Sequence, residues 1–416
     1  MIRKVEIKNF RILKDIKQEL KPFNILIGPN ATGKSTFLDA ISLVRDILND
    51  GLEPAIEKRS PSFYYLLWDK TDPKIEINLE LELPEKVKNI YSKKSLPFYI
   101  RSRYDLKIGF NQKNGELQVL SENLRLFKDE SIKPKKRKSK SQPNNLRLSK
   151  IKRRWDRKAL LIRNTAFGLN YFFSETEGDI FTFKTSRYKT ALENLPEDQK
   201  KFPGALWTKH KLKEGIQTLN LNSLAMRQPC PPGRKHSFEM DGSNLPLLIK
   251  DLEKKSAKLF KSWLAHLRTA LPLIKELKVK EREEDRSLYL QIKDENGRMI
   301  PSWLLSDGAL RVLALTLLAY LPENEGIYLI EEPENGIHPL AIEPVYQSFS
   351  SLYDGQIIMA THSPVFMSVA KPEQILCFSR KENGEAQIIK GNEHPALKNW
   401  KGSPNLNVLY ASGVLD

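Results

Sequence analysis

The chain has 416 residues and a formal net charge of +17, from 68 Lys and Arg against 51 Asp and Glu. At about 150 residues per domain, this length favours two or three units with a sizeable core. The two cysteines, Cys230 and Cys377, are far apart, which excludes a disulfide framework or a cysteine zinc site. The longest apolar stretch, residues 312–321, is about half as long as a membrane-spanning helix, and no signal-like segment opens the sequence. We therefore expect a soluble cytoplasmic protein without a membrane partner.

Alternation of polar and apolar residues predicts an antiparallel β subsheet in the N-terminal part of the chain. The alternating stretches are residues 3–10, 15–20, 74–83, 99–110 and 117–120. Asn114-Gly115 predicts a hairpin turn between the last two. The apolar residues 23–27 do not alternate, and they predict a buried parallel strand instead.

Residues 28–36 follow that strand, and their sequence Gly-Pro-Asn-Ala-Thr-Gly-Lys-Ser-Thr matches the phosphate-binding pattern G-x-x-x-x-G-K-[ST]. Apolar residues at helical spacing begin after Lys34, so strand, loop and helix occur in the order that this loop requires. Lys34 would reach the β and γ phosphates of ATP, and the Ser35 hydroxyl would bind Mg²⁺. Backbone N–H groups and the helix N-terminus would bind phosphate oxygens. The residues predicted to bind the nucleotide here are Gly28, Pro29, Asn30, Ala31, Thr32, Gly33, Lys34, Ser35 and Thr36.

The positive charge is concentrated in residues 128–158, which contain fourteen Lys and Arg against three acidic residues. Residues 133–145 have almost no apolar side chains to offset their ordering entropy, so we expect a mobile basic loop. Such a segment suits contact with the phosphate backbone of double-stranded DNA, although a solvated loop is the alternative. Nearby aromatic residues would either stack on bases or form a small core: Trp155, Phe167, Tyr171, Phe172 and Phe173.

Helical patterns follow the basic loop. Residues 151–162 predict a helix with a basic face, and residues 243–271 predict one long helix with Ser243 as its N-cap and Pro272 as its stop. A strand is predicted at 287–292.

Residues 327–332, Ile-Tyr-Leu-Ile-Glu-Glu, predict an apolar strand that ends in two carboxylates. A strand of this kind holds Mg²⁺ opposite a phosphate loop. We assign Glu331 to the Mg²⁺ side and Glu332 to the general base that orients the attacking water. Pro333 ends the strand, which lets two successive carboxylates take different roles.

Two further segments carry candidate site residues. Ser306 is a predicted N-cap, and its hydroxyl with the amides of Asp307 and Gly308 would form a second anion-binding helix terminus; capping alone is the alternative. His362 follows a predicted strand at 356–360, at the carboxyl end where ligands bind in α/β sheets.

Together, four motifs resemble those of ATP-binding cassette (ABC) type ATPases of the AAA family, in particular the RecF/SMC-like, overcoming-lysogenization-defect-like (OLD-like) branch. The motifs are GPNATGKST (28–36), LSDGALR (305–311), YLIEEPENGIHP (328–339) and MATHSP (359–364). The resemblance covers about residues 1–120 and 240–380. It implies an α/β P-loop NTPase fold of ABC-ATPase type with an N-terminal antiparallel β subsheet. The expected domains are 1–125 and 236–416 for the two ATPase halves, and 126–235 for an inserted basic, mostly helical arm.

The resemblance also implies how the site works. Two subunits would close head to tail, so that Ser306 and Gly308 of one contact the γ-phosphate held by Lys34 of the other. Glu332 would be the catalytic base and His362 the switch histidine. A segment that crosses the dimer interface would contain Glu334, Asn335 and His338.

The sequence departs from the family in several places. Asp307 stands where the signature usually has a glycine, and Glu331 stands where transporters carry Asp. No glutamine occurs between Gln18 and Gln112, so the glutamine of the metal-sensing loop is not assigned. Only 54 residues follow His362, too few for the C-terminal Toprim nuclease of some relatives. We therefore expect any nuclease to be a separate polypeptide.

The leading hypothesis is an ATPase whose nucleotide-driven closure, as a homodimer or higher oligomer, gates DNA or a separate nuclease-like effector in DNA repair or anti-phage defence. Two alternatives remain open. One is the energising subunit of a transporter, which the basic insertion and the Ser306-Asp307-Gly308 sequence disfavour. The other is a low-turnover scaffold that holds an effector protein.

Overall fold

The computed structural model describes residues 1–93, 99–111, 115–128, 159–164, 169–177, 179–322 and 324–395. The chain divides into two compact units. Unit 1 comprises Met1–Leu20, Thr36–Ile216 and Lys381–Ala386, and unit 2 comprises Lys21–Ser35, Gln217–Arg380 and Gln387–Asp416. The domain boundaries expected from the sequence stay a prediction.

Unit 1 is built on a sheet that has eight strands within the described residues, all paired antiparallel, in the order β2-β1-β4-β5-β6-β7-β8-β9. The strands are β1 (Ile2–Phe10), β2 (Leu13–Glu19), β4 (Lys74–Glu82), β5 (Tyr99–Phe110), β6 (Leu117–Lys128), β7 (Ala159–Asn164), β8 (Leu169–Phe173) and β9 (Ile180–Lys184). Alternation places Ile75, Ile77, Leu79 and Leu81 of β4 in the core. The predicted antiparallel subsheet is confirmed, and it extends three strands further than expected.

These three added strands correct two expectations for the insertion. Residues 159–164 form β7 rather than the end of a helix, because Leu161 pairs with Phe172 of β8 and both side chains are fully buried. The described part of the insertion is therefore mixed in structure, not mostly helical. Burial of Phe172 also favours a core role over base stacking. Residues 133–145, 151–158, Trp155 and Phe167 lie outside the described residues.

The helices of the first half are α1 (Lys34–Asp50), α2 (Leu52–Glu57), α3 (Glu85–Lys93) and α4 (Pro203–His210). Helix α1 begins at Lys34 as predicted and ends at Asp50, and the next residue, Gly51, has a φ of 91° that suits glycine and separates α1 from α2.

Two buried glutamates hold the segment that contains residues 190–205 in place within unit 1. Glu175 accepts hydrogen bonds from the Tyr91 hydroxyl and from the backbone N–H groups of Gly204 (2.8 Å) and Ala205 (2.7 Å) at the start of α4. Glu122 accepts from the Tyr104 hydroxyl at 2.8 Å and from two backbone N–H groups, those of Ala191 and Leu192. Each carboxylate therefore satisfies backbone donors that would otherwise be buried without partners.

Unit 2 contains the sheet β10-β14-β15-β3-β16-β17, in which β14, β15, β3 and β16 are parallel neighbours. Its strands are β3 (Phe23–Ile27), β10 (Ile216–Leu219), β14 (Ile327–Glu331), β15 (Gln356–Ala360), β16 (Ile375–Arg380) and β17 (Ala386–Lys390). A separate antiparallel sheet contains β11 (Ile274–Glu281), β12 (Leu288–Asp294) and β13 (Met299–Pro301). Because β3, β14 and β15 run parallel, the segments that follow them meet at one edge of the sheet.

The helices of unit 2 are α5 (Ser223–Arg227), α6 (Leu245–Lys255), α7 (Ala257–Ala270), α8 (Asp307–Leu317), α9 (Ile342–Ser350) and α10 (Pro364–Val369). The single helix expected at 243–271 is wrong, because Ser256 leaves the helical region (φ −154°, ψ 88°) and its side chain accepts from the Leu259 N–H to cap α7. Asn244 rather than Ser243 is the N-cap of α6. Trp263 of α7 is fully buried, and its Nε1 donates to the Thr316 hydroxyl at 3.1 Å. Among the helices of the described ranges, none is long and apolar enough to cross a bilayer.

Candidate nucleotide-binding site

The loop between β3 and α1 has the backbone geometry of a phosphate cradle. Gly28 adopts φ +139° and Gly33 φ +107°, conformations that favour glycine. A Cβ at Gly28 would lie 2.1 Å from the Phe378 carbonyl oxygen, so a side chain there is excluded. The Thr32 hydroxyl donates to the Pro29 carbonyl at 2.8 Å and closes the loop on itself.

Lys34 lies within this loop rather than in solvent. Its Nζ donates to the carbonyl oxygens of Gly28 at 2.6 Å and Pro29 at 2.8 Å, and the residue is 5% exposed. The ammonium group is therefore held at the mouth of the cradle, where a phosphate oxygen would offer a stronger partner than a neutral carbonyl.

Ser35 and Glu331 lie next to each other although 296 residues separate them along the chain. The Ser35 hydroxyl donates to Glu331 Oε2 at 2.7 Å. A hydroxyl and a carboxylate are hard oxygen donors, the kind that Mg²⁺ takes from proteins when phosphates and waters supply its other ligands. Within the described ranges no cluster of three or more His, Cys, Asp or Glu could hold a metal alone. The donor set therefore fits a cation that is shared with a bound phosphate.

Glu332 departs from the extended conformation of the strand before it. Its φ is +45°, and its backbone N–H donates to the Ala360 carbonyl at 2.8 Å. Asn335 Nδ2 donates to Glu332 Oε2 at 2.6 Å, which orients the carboxylate. Because β14 ends at Glu331, the two successive carboxylates take separate positions, as the sequence predicted from Pro333.

Glu334 has contacts that sequence reasoning did not anticipate. Its Oε1 accepts from the Thr361 hydroxyl at 2.7 Å and from the His362 backbone N–H at 3.0 Å, while Oε2 is a buried atom without a hydrogen-bond partner. The segment after β14 is thereby tied to the loop after β15. The sequence showed that Glu334 follows the acidic strand but gave no signal of this partner.

His362 has a mixed electrostatic environment. Burial and the Lys34 ammonium lower the pKa of its imidazole below the ordinary value, against the opposing effect of Glu332 and Glu334. The structure thus brings His362, the predicted switch histidine, close enough to Lys34 and Glu332 for their charges to affect its imidazole.

The signature residues form a second group of contacts. Ser306 is the N-cap of α8, and its Oγ accepts from the Ala309 N–H at 3.2 Å, so the predicted cap is confirmed. Asp307 forms an ion pair with Arg227. A Cβ at Gly308 would lie 2.5 Å from the Gly336 carbonyl oxygen. These contacts are separate from those of Lys34 and Ser35, which bond the phosphate loop and Glu331.

Arg227 is the functional candidate that sequence reasoning missed. Its guanidinium also donates to the Leu305 carbonyl at 3.0 and 3.2 Å. Arg227 precedes Asp307 by 80 residues, so no local sequence pattern could have indicated that the two side chains pair.

Comparison with solved structures gives the class of protein. An SMC head bound to the C-terminal winged-helix domain of ScpA superposes with a TM-score of 0.54 at 15% identity, covering 93% of this chain and 96% of that one. The Pyrococcus furiosus SMC head domain with an extended coiled coil, bound to the C-terminal domain of ScpA, gives 0.51 at 13% identity, covering 93% and 95%. The chain therefore has the fold of an SMC head domain, built around a P-loop.

Sequence comparison gives the family. The family described as "AAA domain, putative AbiEii toxin, Type IV TA system" matches residues 23–368, and the chain belongs to it. A curated relative, the OLD nuclease of Thermus scotoductus, is 48% identical over 44 residues. That match spans 11% of this chain and 8% of the relative.

Proposed function

We propose that the chain binds and hydrolyses ATP, and that nucleotide closes two copies head to tail to control a DNA interaction or an effector protein in DNA repair or anti-phage defence. The observation that carries the proposal is the 2.7 Å contact between Ser35 and Glu331, which joins the phosphate loop to the acidic strand. If the Gly-Lys-Ser sequence matched the phosphate-loop pattern only by chance, its serine would not be expected to lie within hydrogen-bond distance of a carboxylate at the end of a distant strand.

In this proposal each residue has a separate task. Ser35 and Glu331 would hold Mg²⁺, which would neutralise negative charge on the phosphates. Lys34 exchanges its carbonyl partners for phosphate oxygens. The nucleotide lies on the loop residues 28–36 and meets Ser306, Asp307 and Gly308 of the second copy.

Glu332 takes the proton of the attacking water, and Asn335 holds its carboxylate in place. His362 remains neutral near pH 7, since its pKa is lowered, and an uncharged imidazole is able to donate one hydrogen bond and accept another.

Replacing the proposed base tests the enzymatic part. Glu332→Gln is expected to reduce ATP hydrolysis about 100-fold or more while ATP binding is retained. The control is Glu343→Gln, which changes an exposed carboxylate on α9. Equal hydrolysis by Glu332→Gln and wild type would overturn the catalytic assignment and favour the low-turnover scaffold.

Closure is tested by light scattering of the Glu332→Gln protein with and without ATP and Mg²⁺. Trapped dimers are expected only with nucleotide, and Ser306→Arg is expected to prevent them because a bulky cation replaces the small cap at the interface. An ATP-independent mass would overturn nucleotide-driven closure.

The regulator is tested by measuring hydrolysis with double-stranded DNA at low and moderate salt. Stimulation that weakens with salt would support contact through the basic segment 128–158. Neutralising the basic residues between Lys135 and Lys140 should then remove it. A flat response would favour a protein effector, and the short match to an OLD nuclease makes a nuclease the class of effector to examine first.

A further inference from the structure

The signature loop of this chain contains an unusual charge. Asp307 is the first residue of α8, and its side chain is 60% exposed. Under the proposed function, on which this inference rests, the loop approaches the γ-phosphate bound by a second copy. A carboxylate there would repel that phosphate unless a cation neutralises it.

Arg227 supplies such a cation and is itself held firmly. It is the last residue of α5, a helix capped by Asn222, whose side chain accepts from Leu224 and Ala225. The neighbouring Met226 is fully buried. The Arg227 carbonyl accepts a hydrogen bond from Ser302, another fully buried residue. Backbone and side chain of Arg227 are therefore both tied to the segment 302–307.

The guanidinium joins two features of the loop. It donates twice to the Leu305 carbonyl and pairs with Asp307, so it fixes the backbone on one side of Ser306 and the charge on the other. We propose that Arg227 is a positioning residue for the signature loop: it sets the loop conformation and cancels the charge of Asp307, so that Ser306 can meet the phosphate held by a second copy.

The pair lies in the open, polar wall of a cleft of about 520 Å³ that Asn220, Asp241 and Arg311 also line. Exposed ion pairs contribute little to folding stability. The role of Arg227 should therefore be visible in closure more than in the unfolding temperature.

The experiment measures ATP-dependent dimerisation by light scattering in the Glu332→Gln background. Arg227→Met is expected to raise the protein concentration for half-maximal dimerisation about tenfold or more. ATP affinity, measured at concentrations where the protein is monomeric, should change less than about twofold, because the Arg227 side chain bonds Leu305 and Asp307 rather than residues of the phosphate loop. The matched control is Arg298→Met, which removes an ion pair with Asp294 elsewhere in unit 2.

A second substitution separates charge cancellation from folding. The proposed function gives the nucleotide the backbone N–H of Asp307, which Asp307→Asn keeps, and the substitution removes only the side-chain charge. Asp307→Asn alone should therefore dimerise at least as well as the parent, and the double variant Arg227→Met/Asp307→Asn should recover most of the loss. In otherwise wild-type protein, Arg227→Met should lower kcat with little change in monomer ATP affinity.

Unchanged dimerisation of Arg227→Met overturns the inference, as does a double variant that is as defective as Arg227→Met. If Arg227→Met misfolds, the Asp307→Asn result decides: dimerisation weaker than that of the parent overturns the inference. Failure of the Glu332→Gln parent to dimerise with ATP overturns the proposed function and this inference together.

Discussion

The Glu334 carboxylate accepts a 3.0 Å hydrogen bond from the backbone N–H of His362. The same oxygen accepts from the Thr361 hydroxyl. One side chain thus sets the spacing between the proposed base, two residues before it, and the loop that carries the histidine. The tie lies within unit 2, so it is present in a single copy of the chain.

Removing this tie should impair catalysis more than binding. Glu334→Ala is expected to lower kcat about 10- to 100-fold, because both hydrogen bonds to the histidine loop are lost and the reacting groups are misplaced. Glu334→Gln keeps an acceptor oxygen and should stay within about fivefold of wild type. Steady-state kinetics with both variants checks this, and a wild-type kcat for Glu334→Ala would contradict it.

Gly28→Ala should damage the phosphate loop. The new Cβ would lie 2.1 Å from the Phe378 carbonyl oxygen at φ +139°, so the loop must shift, at a cost of about 2 kcal/mol or more. ATP binding is expected to be lost. Gly297→Ala is the control, since Gly297 has φ +79° with open space around its Cβ position, and it should cost about 1 kcal/mol without affecting ATP. Thermal unfolding and equilibrium nucleotide binding measure both effects.

A buried ion-pair cluster on α1 should be a major source of stability in unit 1. The side chain of Arg59 is 6% exposed and pairs with Asp39 at 2.6 Å and Asp46 at 2.8 Å. Arg59→Met removes this cation from the buried Asp46 and the partly exposed Asp39. Within the described ranges these carboxylates then keep only Arg45 and Arg11 as ion-pair partners, and the free energy of unfolding is expected to fall by about 3 kcal/mol. The neighbouring Lys58→Met removes an exposed pair with Asp50 and should cost less than about 1 kcal/mol. Denaturant titrations that show equal losses would refute the difference.

Glu175 should make stability depend on pH. Burial raises the pKa of its carboxyl from 4.5 to about 7, because desolvation outweighs the hydrogen bonds from Tyr91, Gly204 and Ala205. Since the folded state binds this proton more tightly than the unfolded state, the stabilisation is fully present below pH 4.5 and is lost as pH rises through 7.

Comparison with Glu175→Gln isolates that contribution. The difference in unfolding free energy, wild type minus variant, should fall by about 3 kcal/mol between pH 4.5 and pH 8. Urea titrations at several pH values give this difference, and a value that is constant or rises with pH would contradict the raised pKa.

The structure of the candidate nucleotide site was largely predictable because its parts are local sequence patterns. The phosphate loop, the acidic end of β14 and the cap at Ser306 each lie within a few consecutive residues, and each appears where expected. Their assembly followed from parallel strands, whose carboxyl ends meet at one edge. Roles in binding and catalysis stay predictions for all of them.

What the sequence did not predict depends on partners that are distant along the chain. Residues 159–164 became a strand because β8 offers a pairing edge and a buried Phe172, which no local pattern reveals. The apolar residues keep a helical periodicity through Ser256, but the helix breaks there because Ser256 caps the start of α7. Arg227 was missed because its partner Asp307 is 80 residues away, and the hydrogen bond of Glu334 to His362, 28 residues away, was not predicted for the same reason.

The main chain of Gly308 lies so close to Gly336 that a Cβ at position 308 would come within 2.5 Å of the Gly336 carbonyl oxygen. Because both residues are glycines, no side chain lies between them whose substitution or change of rotamer could accommodate a movement. If the proposed closure displaces α8, we expect that displacement to reach residues 332–336 nearly undiminished, because no side chain separates Gly308 from the Gly336 carbonyl. The timing of partner engagement and the timing of hydrolysis would then be difficult to evolve separately in this chain.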